Sequence, residues 1–290
     1  MNEPLKRALE LALGTAVAAL RPVAGGDINR AYAATLASGA TVFVKTRDDA
    51  LHETGPLRAM YLREADGLGW LRAAGAVRIP EVLAATDQLL ALEWIEPGRR
   101  QAGFDEALGR GLAVLHRAGA PSFGLDQDNF IGTLPQANAP VARWSDFYRT
   151  RRLEPLVARA RAGGLLDRRA LASFERLYAR LEALVGPEEP PARLHGDLWS
   201  GNVHADARGL PALIDPAAYG GQREVDLAML QLFGAPSARL FAAYDEVYPR
   251  APDHAERVAL YQLYPLLVHV NLFGAGYVAQ LLGALARYAA

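Results

Sequence analysis

Leu194-His195-Gly196-Asp197-Leu198-Trp199-Ser200-Gly201-Asn202, followed by Leu213-Ile214-Asp215-Pro216, is the stretch on which the reading of this chain turns. It sets an Asp, an Asn five positions on, and a second Asp behind a strand-like hydrophobic pair. Transfer of a phosphoryl group from a nucleotide calls for these three groups. One carboxylate orients or deprotonates the accepting hydroxyl, while an amide oxygen and another carboxylate hold the divalent ions that neutralise the phosphate oxygens.

The spacing D-L-x-x-x-N matches the kinase catalytic loop H-R-D-L-x-x-x-N, with Gly196 in place of the Arg. Asp197 is then the expected base, and Asn202 and Asp215 the expected ligands of Mg²⁺ or Mn²⁺. Asp215 takes the place of the DFG Asp, with Pro216 where the Phe stands. His195, two residues before the Asp, fits a structural role orienting the loop better than a base or metal ligand. Asp226, in Glu224-Val225-Asp226-Leu227, fits two roles equally: capping a helix, or accepting backbone N–H groups of the catalytic loop. A metallophosphoesterase reading of the same Asp and Asn residues needs further ligands, usually an Asp-x-His, and the chain contains none.

Outward from this centre, Lys45 ends the apolar run Thr41-Val42-Phe43-Val44-Lys45, comparable with the V-A-I-K strand whose Lys contacts nucleotide phosphates. Glu64 supplies its expected partner. In the helix after Pro56, Leu57, Tyr61, Leu68 and Leu71 share one face, and Glu64 falls within that apolar stripe. A buried carboxylate without a cation is costly, and Lys45 lies one element earlier. Gly25-Gly26-Asp27-Ile28-Asn29 precedes a strand, where backbone N–H groups could approach phosphates or simply form a turn. The backbone of Glu93-Trp94-Ile95, ahead of Pro97-Gly98, is the candidate edge for adenine.

The pattern along the chain predicts a helix over Glu3–Leu20 and two strands within Val23–Lys45 turning at Ser38-Gly39. A helix starts at Thr54-Gly55-Pro56, and two further strands in Val82–Ile95 are separated by Thr86-Asp87. Helices are then expected at 105–117, 144–161, 167–185, 225–233, 238–248 and from 256 onward, with short strands around Val203 and Leu213. This is an α+β, two-lobed arrangement: a small strand-rich lobe, 1–95, hinged to a larger helical lobe, 96–290, with a cleft between them.

The 290 residues carry a net charge of -1, which argues against a nucleic-acid or anionic-membrane partner. With no cysteine, thiolate chemistry is excluded, and the composition fits a cytoplasmic chain. Six scattered His residues show no zinc spacing. The N-terminus lacks the basic segment and compact apolar run of a signal peptide. Val258–Leu282, the most apolar stretch, is broken by Pro265, His269, Asn271 and two glycines, and reads as a buried helix pair rather than a membrane span.

The chain resembles the fructosamine kinases (ketosamine 3-kinases), within the wider protein-kinase-like and aminoglycoside phosphotransferase-like fold. The resemblance runs through Gly25–Arg30, Val42–Thr46, Leu92–Ile95, Asp128–Gln136, Leu194–Asn202, Ile214–Pro216, Arg223–Met229 and Asn271–Tyr277. Its most specific segments are Asn129-Phe130-Ile131-Gly132-Thr133-Leu134-Pro135-Gln136 and Asp197-Leu198-Trp199-Ser200-Gly201-Asn202. It implies ATP-dependent phosphorylation of the sugar 3-hydroxyl of a ketosamine, a deglycation or repair reaction, with ATP and the ketosamine as partners. Trp199, Tyr219 and Asn129 are the corresponding acceptor-site candidates. Ala217-Ala218-Tyr219-Gly220-Gly221 departs from the many members with a second aromatic there, which leaves the preferred sugar open. The residues themselves also fit a kinase for another hydroxyl acceptor, such as an aminoglycoside or choline. A silent nucleotide-binding module is the third reading, against which stands the complete Lys, Glu, Asp, Asn, Asp set.

Overall fold

Along Thr41–Thr46, Val42 and Val44 alternate with Phe43 and Lys45, so a strand here presents an aliphatic face and a face bearing the lysine. In the computed structural model, which describes residues 3–23, 29–47, 56–234 and 236–288, this strand is β3. It sits at the centre of an antiparallel sheet ordered β1-β2-β3-β5-β4. The other strands are β1 (Val17–Val23), β2 (Arg30–Leu36), β4 (Val82–Ala85) and β5 (Leu89–Glu93). Helix α1 (Glu3–Leu13) covers one face, burying Leu5 and Leu9 with Tyr32, Val42 and Val44. Helix α2 (Met60–Arg72), entered through a 3₁₀ turn at Pro56–Ala59, covers the other, where Tyr61, Leu68 and Leu71 cluster with Leu90 and Leu92.

The helix expected over Glu3–Leu20 stops at Leu13. Gly14 adopts φ +65 and donates its N–H to Glu10 O, a left-handed helix ending that suits glycine. Val17 N–H then donates to Glu10 Oε1 at 2.9 Å, and the chain pairs with β2 as an outer strand. Sheet pairing overrides the helical spacing there. Gly25, Gly26, Asp27 and Ile28, like Thr54 and Gly55, lie outside the described residues.

After residue 96 helices dominate: α3 (Phe104–Arg117), α4 (Trp144–Phe147), α5 (Glu154–Ala162), α6 (Arg168–Leu184), α7 (Glu224–Leu232), α8 (Ala238–Val247), α9 (His254–Phe273) and α10 (Val278–Leu285). The expected helix over 144–161 is helical throughout, with a π-helical turn at Tyr148–Leu153 between α4 and α5. The apolar stretch around Pro265 forms α9 and α10, divided at Gly274. Among the described residues no helix is long and apolar enough to cross a membrane. The two halves share a core: Tyr61, Leu68, Leu90 and Leu92 pack in one cluster with Leu112, Leu198, Val203 and Leu213. Arg78 adds a polar link, donating to Glu93 Oε1 at 2.7 Å and to Asp206 Oδ2 at 2.8 Å.

Three short ladders complete the architecture. β6 (Asn129–Ile131) pairs with β7 (Leu134–Gln136), β8 (Ala192–Leu194) with β11 (Tyr219–Gly221), and β9 (Val203–Ala205) with β10 (Pro211–Leu213). Of these, β9 and β10 agree with the sequence expectation. The other four strands are too short for periodicity to reveal.

Candidate active site

The β8–β11 and β9–β10 ladders place two loops side by side. His195–Asn202 links β8 to β9, and 214–218 links β10 to β11. Pairing of Leu194 with Tyr219 and of Val203 with Leu213 fixes the loop ends. Two backbone bonds join the loops, Ala217 N–H to His195 O at 3.0 Å and Ile214 N–H to Asn202 O at 3.1 Å. Gly196 has φ +81, and a Cβ there would collide with the Ala217 carbonyl oxygen, so glycine stands where the kinase pattern has Arg.

Asp226 lies within α7 and anchors the catalytic loop. Its Oδ2 accepts His195 N–H at 2.7 Å and its Oδ1 accepts Gly196 N–H at 2.9 Å, favouring the loop-tethering role over capping. Behind it, His116 Nε2 lies 3.3 Å from Asp226 Oδ2, while His116 Nδ1 meets the Tyr244 hydroxyl at 2.8 Å. His195 uses both ring nitrogens inside the loop. Nδ1 accepts Asp197 N–H, so Nε2 carries the hydrogen that reaches Ile214 O at 2.9 Å. Burial holds its pKa below the usual histidine value, in keeping with this neutral, structural imidazole.

Asn202 donates its amide to Asp197 O at 2.8 Å and Asp197 Oδ2 at 3.2 Å. With that nitrogen committed, the amide oxygen is the atom left for a cation. Burial pushes the Asp197 carboxyl up to about 7, helped by the Asp215 charge and opposed by the Asn202 hydrogen bond. Asp215 follows β10 with φ +54, a left-handed conformation that costs a non-glycine residue about 1–2 kcal/mol.

Lys45, from β3, reaches this point from the sheet. Its Nζ lies 3.0 Å from each carboxylate oxygen of Glu64 on α2, and 3.0 Å from Asp215 Oδ1. Burial would pull the ammonium pKa down, but the Asp215 and Glu64 carboxylates outweigh it and hold it above the ordinary lysine value. Burial likewise raises Glu64, to about 7, against the pull of Lys45. One ammonium thus pairs with two carboxylates, Glu64 and Asp215, with the Asp197 carboxylate nearby, and the site is short of positive charge. A hard divalent cation that takes oxygen ligands and shares them with phosphates fits that deficit and the Asn202–Asp215 donor pair.

The remaining sequence candidates separate. Glu93 N–H is committed to Glu81 O at 2.8 Å and its side chain to Arg78, so any part of Glu93 in holding adenine falls to its carbonyl. Trp94 and Ile95 follow β5, with the Trp94 indole N–H on Glu96 Oε2 at 2.7 Å. Trp199 is 40% exposed on the catalytic loop, its ring folded so closely over Gly201 that a Cβ there would collide with it. Ser200 Oγ donates to the carbonyl of Phe233, whose ring joins His269, Phe273 and Tyr277 in an aromatic cluster beside the loop.

Tyr219 is fully buried, with the Arg152 guanidinium 3.8 Å from its ring centre and Phe147 stacked at 5.7 Å. It packs beneath the site and is not a wall of the acceptor cleft. Asn129 is also buried, donating to Ala218 O at 2.8 Å and accepting from Gln136 and Asn138. Its side chain serves the fold rather than an acceptor. His116, Gln136, Asn138 and Arg152 carried no individual signal in the sequence, apart from Gln136 closing the Asn129–Gln136 segment.

The family of fructosamine kinases matches residues 1–290 of this chain. A probable ketoamine kinase of Synechocystis sp. is 38% identical over 269 residues, covering 90% of this chain and 86% of the relative. The chloroplastic protein-ribulosamine 3-kinase of Oryza sativa subsp. indica is 34% identical over 275 residues, covering 91% and 76%. A crystal structure described as a fructosamine-3-kinase, from Thermobifida fusca, superposes with TM-score 0.91 at 38% identity over 98% of each chain. An ADP-bound aminoglycoside phosphotransferase shares only the fold, with TM-score 0.66 at 15% identity over 100% of this chain and 98% of its own. The protein-kinase-like fold therefore extends over the whole chain, and the match along its full length places the chain in the fructosamine kinase family.

Proposed function

We propose that this protein is an ATP-dependent kinase that phosphorylates the sugar 3-hydroxyl of ketosamines, in a deglycation reaction. One observation carries the reading: Lys45 ion-pairs with Glu64 and Asp215, and the Asn202 amide ties the Asp197 carboxylate to the Asp215 backbone carbonyl, where the sheet meets the catalytic loop. Residues 1–95 serve the nucleotide and 96–290 supply the catalytic loop, cation ligands and acceptor side.

A magnesium–ATP complex, or its manganese equivalent, supplies the transferable phosphoryl group with its charge partly neutralised. The Asn202 amide oxygen and Asp215 carboxylate would hold the cation. Lys45, oriented by Glu64, turns its ammonium to the phosphates. The backbone of Glu93, Trp94 and Ile95 would receive the adenine edge, Glu93 through its carbonyl. Asp197 orients the acceptor hydroxyl and takes its proton, a task suited to a carboxyl whose pKa lies near the working pH. The exposed face of Trp199 and the neighbouring ring cluster offer the apolar surfaces on which a neutral sugar packs.

The test is phosphorus NMR or mass spectrometry of the products formed with ATP from ribulose-lysine and fructose-lysine, with kanamycin and choline in parallel. Phosphate on the 3-hydroxyl of at least one ketosamine is expected. Phosphorylation of kanamycin or choline, with neither ketosamine modified, overturns the substrate assignment.

A further inference from the structure

We propose that Asn129, Gln136, Asn138 and Arg152 form a positioning device for the cation-binding carboxylate of Asp215. This rests on the cation role given to Asp215 above. Asp215 holds its left-handed backbone between two fixed points. On the near side, Ile214 N–H bonds to Asn202 O. On the far side, the carbonyls of Ala217 and Ala218 are gripped by side chains from the β6–β7 hairpin. Gln136 Nε2 donates to Ala217 O at 3.1 Å and Asn129 Nδ2 to Ala218 O at 2.8 Å.

The polarity of this network is fixed from its far end. Arg152 can only donate. Its Nη2 gives a hydrogen bond to Asn138 Oδ1 at 2.7 Å, so Asn138 presents its NH₂ to Asn129 Oδ1 at 2.9 Å. Asn129 then has its own NH₂ free for the Ala218 carbonyl. Gln136 is fixed by what it faces: Asn129 Oδ1 and Ala217 O can only accept, so its NH₂ turns to them and its Oε1 is left to accept from the Tyr264 hydroxyl. Arg152 is placed by the π-helical turn, has no exposed surface, and lies between the Ala137 carbonyl and the Tyr219 ring. A buried cation facing rings and amides rather than a carboxylate is an expensive feature. A connected buried polar network of this kind selects one conformation of the backbone it grips. Here that backbone is the segment issuing from Asp215.

Groups supporting metal ligands typically change metal affinity 10–100-fold when removed. The experiment is a Mn²⁺ titration followed by electron paramagnetic resonance, with the non-hydrolysable analogue AMP-PNP at saturation. It compares wild type, Asn129→Ala, Gln136→Met and Asp215→Asn, with far-UV circular dichroism as the check of folding. Asn129→Ala and Gln136→Met are each expected to weaken Mn²⁺ binding about tenfold or more. Adding Asn129→Ala to Asp215→Asn is expected to weaken it no further. If Asp215→Asn binds Mn²⁺ as wild type does, the cation assignment fails and the positioning role with it. If Asp215→Asn weakens binding while both network variants stay within about twofold of wild type, the cation assignment stands and the positioning role is overturned. Loss of fold in both network variants, with Asp215→Asn folded, also overturns it, because the network is then only structural.

Discussion

The Lys45 ammonium lies 3.0 Å from Asp215 Oδ1 while it also holds both oxygens of Glu64, so one buried cation joins the sheet, α2 and the loop after β10. Asp215 therefore binds a lysine where the proposed function gives it a metal ion. On this reading Asp215 would hold a divalent ion in place of Lys45, and Lys45, still held by Glu64, would then be free to meet the phosphates.

Lys45→Ala and Glu64→Ala are each expected to weaken productive ATP binding. The double variant should lose less than the sum, because groups in contact couple by about 0.5–3 kcal/mol whereas distant ones add. A double-mutant cycle on kcat/KM for ATP measures this. Full additivity counts against a functional pair.

Asp197→Asn should lower kcat by about 10²–10⁴-fold with ATP affinity close to wild type, since the residue acts on the acceptor proton. Steady-state kinetics with ATP titrations separate the two, and a wild-type kcat sinks the assignment. The same substitution should raise the unfolding temperature of the ligand-free protein near neutral pH. A carboxyl raised from 3.8 to about 7 in the fold favours folding when protonated, and that contribution disappears as the pH rises through about 7. Asparagine removes this pH dependence, so the gap between variant and wild type should widen from about pH 4 to about pH 7. Thermal melts across that window give the answer, and a gap that narrows reverses the sign.

The Asp197 pKa also sets an acid limb for catalysis. With ionised Asp197 as the base, kcat/KM should fall as pH drops below about 7, close to tenfold per unit once well below it. Raising the divalent ion from limiting to saturating should shift the limb to lower pH, because positive charge beside Asp215 favours the ionised form. A profile flat between about pH 5 and pH 8 argues that Asp197 is not titrating.

Asp215→Ala should abolish turnover even at saturating ATP, and excess EDTA should do the same to wild type, with recovery on adding Mg²⁺ or Mn²⁺. Substantial turnover in EDTA removes the metal role.

Trp199→Ala should impair ketosamine phosphorylation far more than ATP binding, because its exposed ring lies on the catalytic loop two residues after Asp197. Separate KM values for ketosamine and ATP read the split. Equal changes in both place Trp199 outside the acceptor side.

The Lys45–Glu64 contact was legible before any coordinates. Glu64 falls in the apolar stripe of α2 between Tyr61 and Leu68, and a carboxylate there requires a cation. Asp226 was not settled. An acidic residue at the start of a helix looks the same whether it caps that helix or grips a distant loop. The hydrogen bonds to His195 and Gly196 join residues 31 and 30 positions apart in the chain. Asn129 stood out in the sequence for a real reason but with the wrong partner: it faces Ala218, 89 positions away, rather than an acceptor.

By itself the sequence determined most of the helices, strands β2 to β5, β9 and β10, the Asp197–Asn202 motif, and the lysine–glutamate pair. Each rests on short-range information: alternation along a strand, 3.6-residue spacing on a helix, or a motif of fixed spacing. Only the tertiary structure decided that residues 17–23 form an outer strand, that the ladders of β8 with β11 and β9 with β10 bring Asp197 and Asp215 into one site, and that Tyr219 and Asn129 lie beneath it. Those outcomes depend on pairings between segments far apart in the chain, each only a few residues long. Such segments carry too little pattern of their own to name their partner, and it is the folded core that selects it.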